Sequence, residues 1–300
     1  MAGPRRAPSH AAIFVRVTPA RAPSALGTRL RSDRFFQLGL LLVGALVLAG
    51  LFAPLIAPHD PLSGDLRGAY LLRPGGRFLL GTDTQGRDVL SRVLYGARIS
   101  LSVGLISQSV AILLGVTLGL VAGYYGRWVD SVVMRLADVT LAFPTLLLLI
   151  AVAAAVSPSL PVIFLVIGAV GWAAMARLVR GQVLALRRSE YVLAAQALGA
   201  PDRRVIIRHL LPNVRAQVIV AATLGIAGAI MAEAALSFVG LGAQPPTPSW
   251  GSMVADGRDL LRVAPWVSFA PGIAIGLAVL GFNLVGDVLR EVYDPRSRER

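Results

Sequence analysis

An acidic residue inside an apolar stretch is the first candidate for chemistry in this sequence. Glu233 lies in the motif AEAALSF, and apolar residues extend on both sides of it. A carboxyl group at membrane depth is costly, so its presence indicates either a function or a set of hydrogen-bond partners. Two interpretations are open: a proton or ion relay, and a structural or gating acid held by hydrogen bonds.

Two further acidic residues flank a tight glycine turn. Asp83 and Asp88 could approach a calcium ion, but the alternating ligands and the distal glutamate of a calcium loop are missing from the sequence. We therefore expect Thr82 or Asp83 to cap a helix that begins near Val89. Asp88 and Arg92 are four residues apart, and we expect them to pair on that helix.

The missing residue types exclude several classes of protein. The sequence has no cysteine, and all 29 of its basic residues are arginine. A nucleotide-binding P-loop needs a lysine, so the chain is not expected to hydrolyse ATP by itself. Disulfides and thiolate chemistry are excluded, and His10, His59 and His209 lie too far apart in sequence to indicate a zinc site. No paired acids or serine–histidine pair at membrane depth indicates an enzyme.

The elements that carry these residues are predicted to be membrane helices. The chain is 55% hydrophobic and 15% charged, with a mean hydropathy of +0.69, whereas about a quarter of the residues of a soluble domain are charged. A helix needs about 20 apolar residues to cross a bilayer, and the first such stretch is too long for a signal peptide. The sequence therefore predicts an all-α polytopic membrane protein with about six transmembrane helices. These helices are predicted at residues 35–57, 99–124, 129–156, 160–179, 214–241 and 266–289.

The distribution of arginine predicts the orientation in the membrane. If both termini are cytoplasmic, 21 arginines lie on the inner side, in residues 1–34, 177–215 and 290–300 and at Arg127 and Arg135. The other eight, in residues 58–98 and at Arg258 and Arg262, lie on the outer side, and this excess is what the positive-inside rule requires. The basic N-terminal tail is expected to lack regular structure and to meet lipid headgroups rather than nucleic acid. The predicted division is a cytoplasmic tail (1–34), a first helix (35–57), an outer loop with an interfacial helix (58–97), a core of five helices (98–289) and a cytoplasmic tail (290–300).

Glycine residues predict where helices pack closely. Gly115, Gly119 and Gly123 share one helix face, and Gly272 and Gly276 repeat that spacing in the last predicted span. Both sets are expected to face neighbouring helices.

Other residues predict local features of the spans and loops. Pro144 interrupts the third span and is expected to kink it, which would suit either packing or the lining of a pathway. Trp250 and Trp266 are expected in the outer interface belt. Asp138 is expected to pair with Arg135.

One polar segment interrupts the apolar pattern. Residues 177–215, here called the arginine-rich segment, carry eight arginines. Residues 189–198 are predicted to form a helix capped by Ser189, and Gly199 suits the left-handed residue that ends it. Pro201 suits the start of a second helix, which is expected to stop before Pro212.

Three interpretations of these short helices are open. A DNA-binding helix-turn-helix lacks a third helix here and lies too close to the membrane for a duplex to reach. A solvated positive loop explains the arginines but not the apolar residues between them. The third interpretation is a surface that docks on a cytoplasmic partner.

The arginine-rich segment resembles the EAA loop of ATP-binding-cassette importer permeases, a coupling helix that docks in a groove of the ATPase subunit. The shared pattern is A-A-x-x-x-G, followed after nine residues by H-L-L-P-N. Leu193 occupies the position of the family's glutamate and Ala200 that of a small hydroxyl residue, so the polar contact of that glutamate is lost. The resemblance implies a coupling loop at residues 180–213, with coupling roles for Tyr191, Ala194, Ala195, Gly199, His209, Pro212 and Asn213.

Three further stretches, residues 81–101, 232–253 and 271–296, resemble the peptide and nickel branch of this family. The resemblance implies that the chain is half of a pore in a bacterial or archaeal plasma membrane, paired with a second permease or a copy of itself. It implies ATPase subunits that bind ATP and Mg²⁺, and an extracytoplasmic binding protein. The stiff loop at residues 244–250 could meet that protein or serve as a rigid connector.

The resemblance implies no cofactor, metal or catalytic residue in this chain, and it makes Glu233 and Pro144 candidates for gating or structural roles. Peptides are the implied substrates, with nickel, glutathione-like molecules and sugars still open. The alternative is an ion-coupled secondary transporter or channel that works without an ATPase.

Overall fold

The computed structural model describes residues 33–156 and 159–293, and the regular structure of these residues is helical. Two isolated bridges, Gly75–Phe78 and Thr82–Asp88, are the β contacts within them. The predicted tails, residues 1–34 and 290–300, lie outside the described residues except for their inner ends.

Five helices are long and apolar enough to cross a membrane, and the number rises to six if a bent pair of shorter helices is counted as one span. The prediction of an all-α polytopic membrane protein with about six membrane helices is confirmed. The long helices are α1 (Arg34–Leu51), α3 (Val89–Tyr125), α6 (Leu160–Leu186), α9 (Leu211–Phe238) and α11 (Trp266–Tyr293). The shorter helices are α2 (Ala53–Ile56), α4 (Arg127–Ala142), α5 (Thr145–Ala154), α7 (Glu190–Ala197), α8 (Asp202–Arg204) and α10 (Trp250–Gly257).

Helix α3 is longer than the sequence predicted. It continues without a break for 37 residues, which is about 55 Å at 1.5 Å per residue. The prediction of a separate interfacial helix within residues 58–97 is therefore wrong, because the chain from Val89 onward forms the first turns of α3. Gly96 does not break the helix. Trp250 of α10 packs against it so closely that a Cβ at Gly96 would lie 3.0 Å from the indole ring.

The third predicted span is broken rather than kinked. Helices α4 and α5 meet at 93°. Phe143 has φ −90° and ψ 142°, and Pro144 has φ −54° and ψ 123°, so both residues leave the helical conformation. A proline lacks the N–H that a helix needs and also disfavours the helical conformation of the residue before it.

Helices α3 and α6 pack closely through the predicted glycine face. A Cβ at Gly115 would lie 2.5 Å from Met175 Cβ, and a Cβ at Gly123 would lie 2.7 Å from Val183 Cβ. Gly119 lies between them and faces the same helix. The glycines therefore allow the two helix backbones to approach each other, as predicted.

Within residues 33–156 and 159–293, the second predicted glycine face packs against no other element. No described atom of another element lies within 4 Å of a Cβ built at Gly272 or Gly276. Helix α11 instead meets α1 at Gly281, whose carbonyl would lie 2.9 Å from a Cβ at Gly39. The contact between these two helices thus depends on a different pair of glycines.

Helix α3 joins two polar regions at opposite ends of the bundle. Its first turns lie at the loop end, which comprises residues 57–88 and 239–265, and its last turn meets the arginine-rich segment. Trp250 lies at the loop end but is fully buried, and its Nε1 donates to the Val93 carbonyl at 2.9 Å. Its predicted place in an interface belt is wrong, because the indole fills the core between α10 and α3.

Candidate functional site

The first helix of the arginine-rich segment ends in a left-handed glycine. Gly199 has φ +77°, as predicted. Its N–H donates to the Gln196 carbonyl at 2.9 Å, and the Ala200 N–H donates to the Ala195 carbonyl at 3.0 Å. This pair of hydrogen bonds is a Schellman motif, which fixes the direction in which the chain leaves α7.

One predicted side-chain cap and one predicted boundary of the segment are wrong. Ser189 precedes α7, but its hydroxyl donates to the Leu186 carbonyl at 2.6 Å and does not cap the helix. The second helix does not stop before Pro212, because a π-helical turn at Val205–Leu210 continues directly into α9. Pro212 lies directly after this π-helical turn, within the continuous helix.

The segment has one buried side and one exposed side. Val192, Val205, Leu210 and Val214 are fully buried against α3 and α6. On the other side, Leu198 is 89% exposed. The exposed side, here called the arginine-ringed face, also carries Tyr191, Leu193, Ala194, Gly199, Ile207, Pro212 and Asn213, together with Arg188, Arg203, Arg204, Arg208 and Arg215.

The remaining predicted coupling residues lie at the edge of this face. Ala195 and His209 are partly buried. The His209 carbonyl accepts a hydrogen bond from Asn213 Nδ2 at 2.6 Å, and the rings of Tyr191 and His209 have centroids 6.5 Å apart. The structure therefore places Tyr191, His209 and Asn213 side by side, and Ala194, Ala195, Gly199 and Pro212 are exposed or partly buried on the same segment.

A tyrosine that the sequence analysis missed joins both short helices to α3. The Tyr124 hydroxyl donates to Asp202 Oδ1 at 2.7 Å and accepts from Gln196 Nε2 at 3.3 Å. Arg187 Nη1 also donates to the Gly123 carbonyl, at 3.1 Å. Gln196 and Asp202 lie 72 and 78 residues from Tyr124 in the chain, so no local pattern could have indicated these contacts.

Two ion pairs tie α4 to α6 at the same end of the bundle. Arg180 holds Asp130 through two hydrogen bonds of 2.5 and 2.6 Å. Arg177 Nη2 lies 2.6 Å from Asp138 Oδ1, so the prediction that Asp138 pairs with Arg135 is wrong. Exposed ion pairs add little stability. These pairs nevertheless link α4 to the end of α6, which leads into the short helices of the arginine-rich segment.

At the loop end, Asp83 organises the glycine turn. Its Oδ1 accepts hydrogen bonds from the backbone N–H groups of Gln85 and Arg87 at 2.8 and 2.9 Å, and its Oδ2 accepts one from Arg87 Nε at 2.7 Å. Asp83 is 4% exposed and Arg87 is 6% exposed. This buried pair therefore belongs to the wall of the loop end rather than to its surface.

The start of α3 differs from the prediction. Asp88 is the cap and accepts a hydrogen bond from the Ser91 N–H at 2.9 Å, whereas Thr82 and Asp83 do not cap the helix. The predicted pair of Asp88 and Arg92 is also wrong, because the Arg92 guanidinium lies 3.5 Å from Asp83 instead. The tertiary contact thus replaces the local pair.

Glu233 lies in a buried cluster of hydroxyl groups. Its carboxyl is fully buried. Ser237 Oγ donates to Oε1 at 2.7 Å, and Ser100 Oγ lies 3.4 Å from Oε2. Ser100 Oγ in turn accepts a hydrogen bond from the Trp250 N–H at 3.1 Å. The cluster joins α9 to α3 and α10, and its hydroxyls supply the partners that a buried carboxyl needs.

Within residues 33–156 and 159–293, no group of three histidine, aspartate or glutamate side chains is placed to hold a metal ion. His59 lies 3.5 Å from Asp88 at the loop end, and His209 lies at the opposite end. The polar regions described above offer contact surfaces and links between helices.

Comparison with known proteins gives two family matches. The family described as binding-protein-dependent transport system inner membrane component matches residues 115–299. The N-terminal transmembrane domain of oligopeptide transport permease C matches residues 27–74. The first match includes the arginine-rich segment and Glu233, and the second includes α1.

Curated relatives align with most of the chain. The dipeptide transport system permease protein of Alkalihalophilus pseudofirmus is 44% identical over 90% of this chain and 88% of its own. The oligopeptide transport system permease protein of Bacillus subtilis is 39% identical with the same coverage. The glutathione transport system permease protein of Pectobacterium atrosepticum is 43% identical over 75% of each chain.

Proposed function

Because this chain belongs to the family of binding-protein-dependent transport system inner membrane components, we propose that it forms half of the membrane pathway of an ATP-driven peptide importer. The chain is a membrane-spanning permease subunit. The names of its relatives refer to dipeptide, oligopeptide and glutathione transport, which supports small peptides as the cargo.

The observation that carries this proposal is the arginine-ringed face. Leu198 is 89% exposed, and Tyr191, Leu193 and Ile207 are 42 to 51% exposed beside it. The other side of the segment is fully packed, so folding of this chain does not cover these side chains. An apolar patch surrounded by charge is typical of a protein–protein contact. The partner that fits this permease is an ATPase subunit with an apolar groove and an acidic rim.

The coupling mechanism follows from the contacts of this face. When ATP closes the ATPase subunits, they move α7 and α8. Tyr124 and Arg187 pass this displacement to α3, and the ion pairs of Arg177 and Arg180 connect α6 to α4. Helix α3 reaches the loop end, where Ser100 meets the Glu233 cluster. The pathway then changes between inward-open and outward-open states, whose populations depend on what the partners bind.

Glu233 and Pro144 fit this mechanism as structural or gating residues. Glu233 holds α9, α3 and α10 together near the loop end through Ser237 and Ser100. Pro144 separates α4 from α5 at the 93° bend, so the two halves of this span can respond differently to a shift of α6.

The proposal also includes an orientation in the membrane and a set of partners. The chain is a multi-pass inner membrane protein, and the arginine count supports a cytoplasmic position for the arginine-rich segment and both termini. The loop end then faces a substrate-binding protein outside the cell. A second permease, or a copy of this chain, completes the pathway within the lipid. ATP and Mg²⁺ bind in the ATPase subunits.

The test is purification of the tagged chain from its own host in mild detergent, followed by reconstitution of the complex into liposomes. We expect a P-loop ATPase and a second permease to co-purify, and we expect uptake of dialanine to require ATP and the binding protein. If the complex contains an ATPase but transports another solute and no peptide, the proposed cargo is wrong and the proposed importer stands.

A chain that emerges alone and transports along an ion gradient without ATP would support the secondary transporter instead. In that case Glu233 would be the leading candidate for the ion-coupled site.

A further inference from the structure

The loop end contains a cavity that the coupling mechanism does not explain. Its volume is about 690 Å³, within the roughly 300–1,000 Å³ range of small-molecule sites. It is lined by the end of α9 and the loop that follows it, by the turn after Asp83, by Arg92 of α3 and by helix α10. Its charged lining residues are Arg87, Arg92, Asp256 and Arg258.

Two of these arginines are buried and have unused hydrogen-bond donors. Arg87 is 6% exposed and Arg92 is 3% exposed. Arg87 uses Nε for Asp83, and its terminal nitrogens donate to no described residue. The polar contacts of the Arg92 guanidinium are all long, with Pro61 at 3.4 Å, Asp83 at 3.5 Å and Asp256 at 3.9 Å.

A buried charge is costly unless it is paired and hydrogen-bonded. Good charge-assisted hydrogen bonds of a guanidinium are about 2.7–2.9 Å long, so the contacts of Arg92 are weak ones. The cavity wall therefore offers guanidinium donors that a carboxylate could use.

The lining also has a site for a positive charge. Asp256 is the acidic residue of the lining. Partial burial raises the pKa of the Asp256 carboxyl, and the nearby Arg92 and Arg87 oppose that effect. A cation in the cavity would further stabilise the charged carboxylate. Arg258, which is half-exposed at the rim, lies two residues further along the chain. Groups of opposite charge are thus available within one small cavity.

We propose that this cavity binds a small zwitterionic peptide, with its carboxylate at Arg87, Arg92 and Arg258 and its amino group at Asp256. The inference rests on the proposed import of peptides, and it adds a peptide site in the permease itself. Thr84 and Gln244 also line the cavity and can bond to the peptide amide. The site holds the substrate after it leaves the binding protein and before it enters the membrane pathway.

The test is saturation-transfer NMR of dialanine on the purified importer complex, without the binding protein. Dialanine, its C-terminal amide and its N-acetyl form are compared. We expect binding of the free zwitterion and about tenfold weaker binding of both blocked forms, since each loses one charge-assisted contact. Arg258→Gln and Arg87→Gln should weaken dialanine binding by a similar factor and remove the preference over the amide.

The matched control is Arg262→Gln, which changes an exposed arginine outside the cavity. Equal binding of the zwitterion and the amide, or unchanged binding in both the Arg258 and Arg87 variants, would overturn the proposal. Arg258→Gln keeps the test valid if Arg87→Gln disturbs the turn at Asp83. Binding of the purified binding protein to the complex is measured separately. If Arg258→Gln weakens that binding and leaves dialanine binding unchanged, the cavity is a protein contact and the proposal is wrong.

These outcomes are separate from the test of the proposed function. ATP-dependent dialanine uptake by the unaltered complex, together with a failed NMR test, would remove only the cavity site. Absence of peptide uptake would remove the proposed cargo, whatever the NMR result.

Discussion

The hydroxyl of Tyr124 donates a 2.7 Å hydrogen bond to the carboxylate of Asp202, at the point where α3 meets α8. The same hydroxyl accepts a hydrogen bond from Gln196 in α7. One side chain therefore fastens both short helices to a helix that continues to the opposite end of the bundle. A displacement of the arginine-ringed face thus has a direct hydrogen-bonded route to α3.

Tyr124→Phe is expected to lower the amount of peptide transported per ATP hydrolysed by about fivefold. The variant removes the 2.7 Å bond to Asp202, worth about 1 kcal/mol, and the longer bond from Gln196. Helices α7 and α8 are then held less firmly to α3, while the arginine-ringed face is unaltered. ATP hydrolysis should therefore continue while uptake falls. The measurement is the ratio of uptake to phosphate release in proteoliposomes.

The control is Tyr125→Phe, which removes the hydroxyl of the adjacent, 49% exposed tyrosine. If both variants give the same ratio as the unaltered complex, Tyr124 does not take part in coupling.

Gly199→Pro is expected to abolish transport while membrane insertion stays intact. Gly199 has φ +77°, whereas proline is fixed near −65°, and the substitution also removes the N–H that donates to Gln196. Gly199→Ala is the matched control, because its Cβ would have open space and its φ would cost only about 1–2 kcal/mol. Uptake and the amount of chain in the membrane fraction are measured. Full uptake by the proline variant would show that the turn is not required.

Leu198→Asp is expected to reduce recovery of the ATPase by about tenfold or more. Leu198 is 89% exposed, so the change costs the isolated chain little stability, while it places a charge in an apolar contact. Leu79→Asp is the control at the loop end, where Leu79 is 61% exposed. The measurement is the ratio of ATPase to permease after affinity purification. Equal recovery from the two variants would argue against docking at the arginine-ringed face.

The parts of the fold that depend on local sequence were predictable. Runs of apolar residues predicted the membrane helices, and the Gly199 turn followed from a glycine between two short helical patterns. The close packing of Gly115 and Gly123 on α6 was also predictable, because spacing by four fixes one helix face. In each case a pattern within a few residues determines the conformation.

The parts that depend on distant contacts were not predictable. The sequence predicted Thr82 or Asp83 as the cap of α3, but Arg87 and Arg92 hold Asp83 at the loop end, and Asp88 is the cap. Gly96 could have ended a helix, yet Trp250 packs on it from more than 150 residues away in the chain. The cavity at the loop end likewise forms only because segments distant in sequence pack next to one another in the folded chain.

Single cysteines can test the orientation, because the chain has no cysteine of its own. Leu79→Cys and Leu198→Cys each place a thiol at an exposed position, at opposite ends of the bundle. In intact cells with a permeable outer envelope, a membrane-impermeant maleimide should label position 79 at once. Position 198 should be labelled only after the membrane is opened. The reverse pattern would invert the orientation.

Glu233→Gln and Glu233→Leu distinguish a structural acid from an ion relay. A glutamine fits the same space, and either end of its amide can bond to a hydroxyl, since a hydroxyl both donates and accepts. We expect Glu233→Gln to keep at least about half of the uptake. Glu233→Leu leaves the hydroxyls of Ser237 and Ser100 without this partner in a buried site, which costs about 1–3 kcal/mol for each unsatisfied group.

The leucine variant should therefore unfold at a lower temperature and lose transport. The glutamine variant should unfold at the same temperature as the unaltered chain and keep at least about half of its uptake. A relay makes a different demand, because it needs a group that takes up and releases a proton, and an amide cannot do so. Uptake abolished by Glu233→Gln in a complex of unchanged thermal stability would therefore replace the structural role with proton or ion coupling. Retained uptake would instead place the function of Glu233 in holding α9 to α3 and α10.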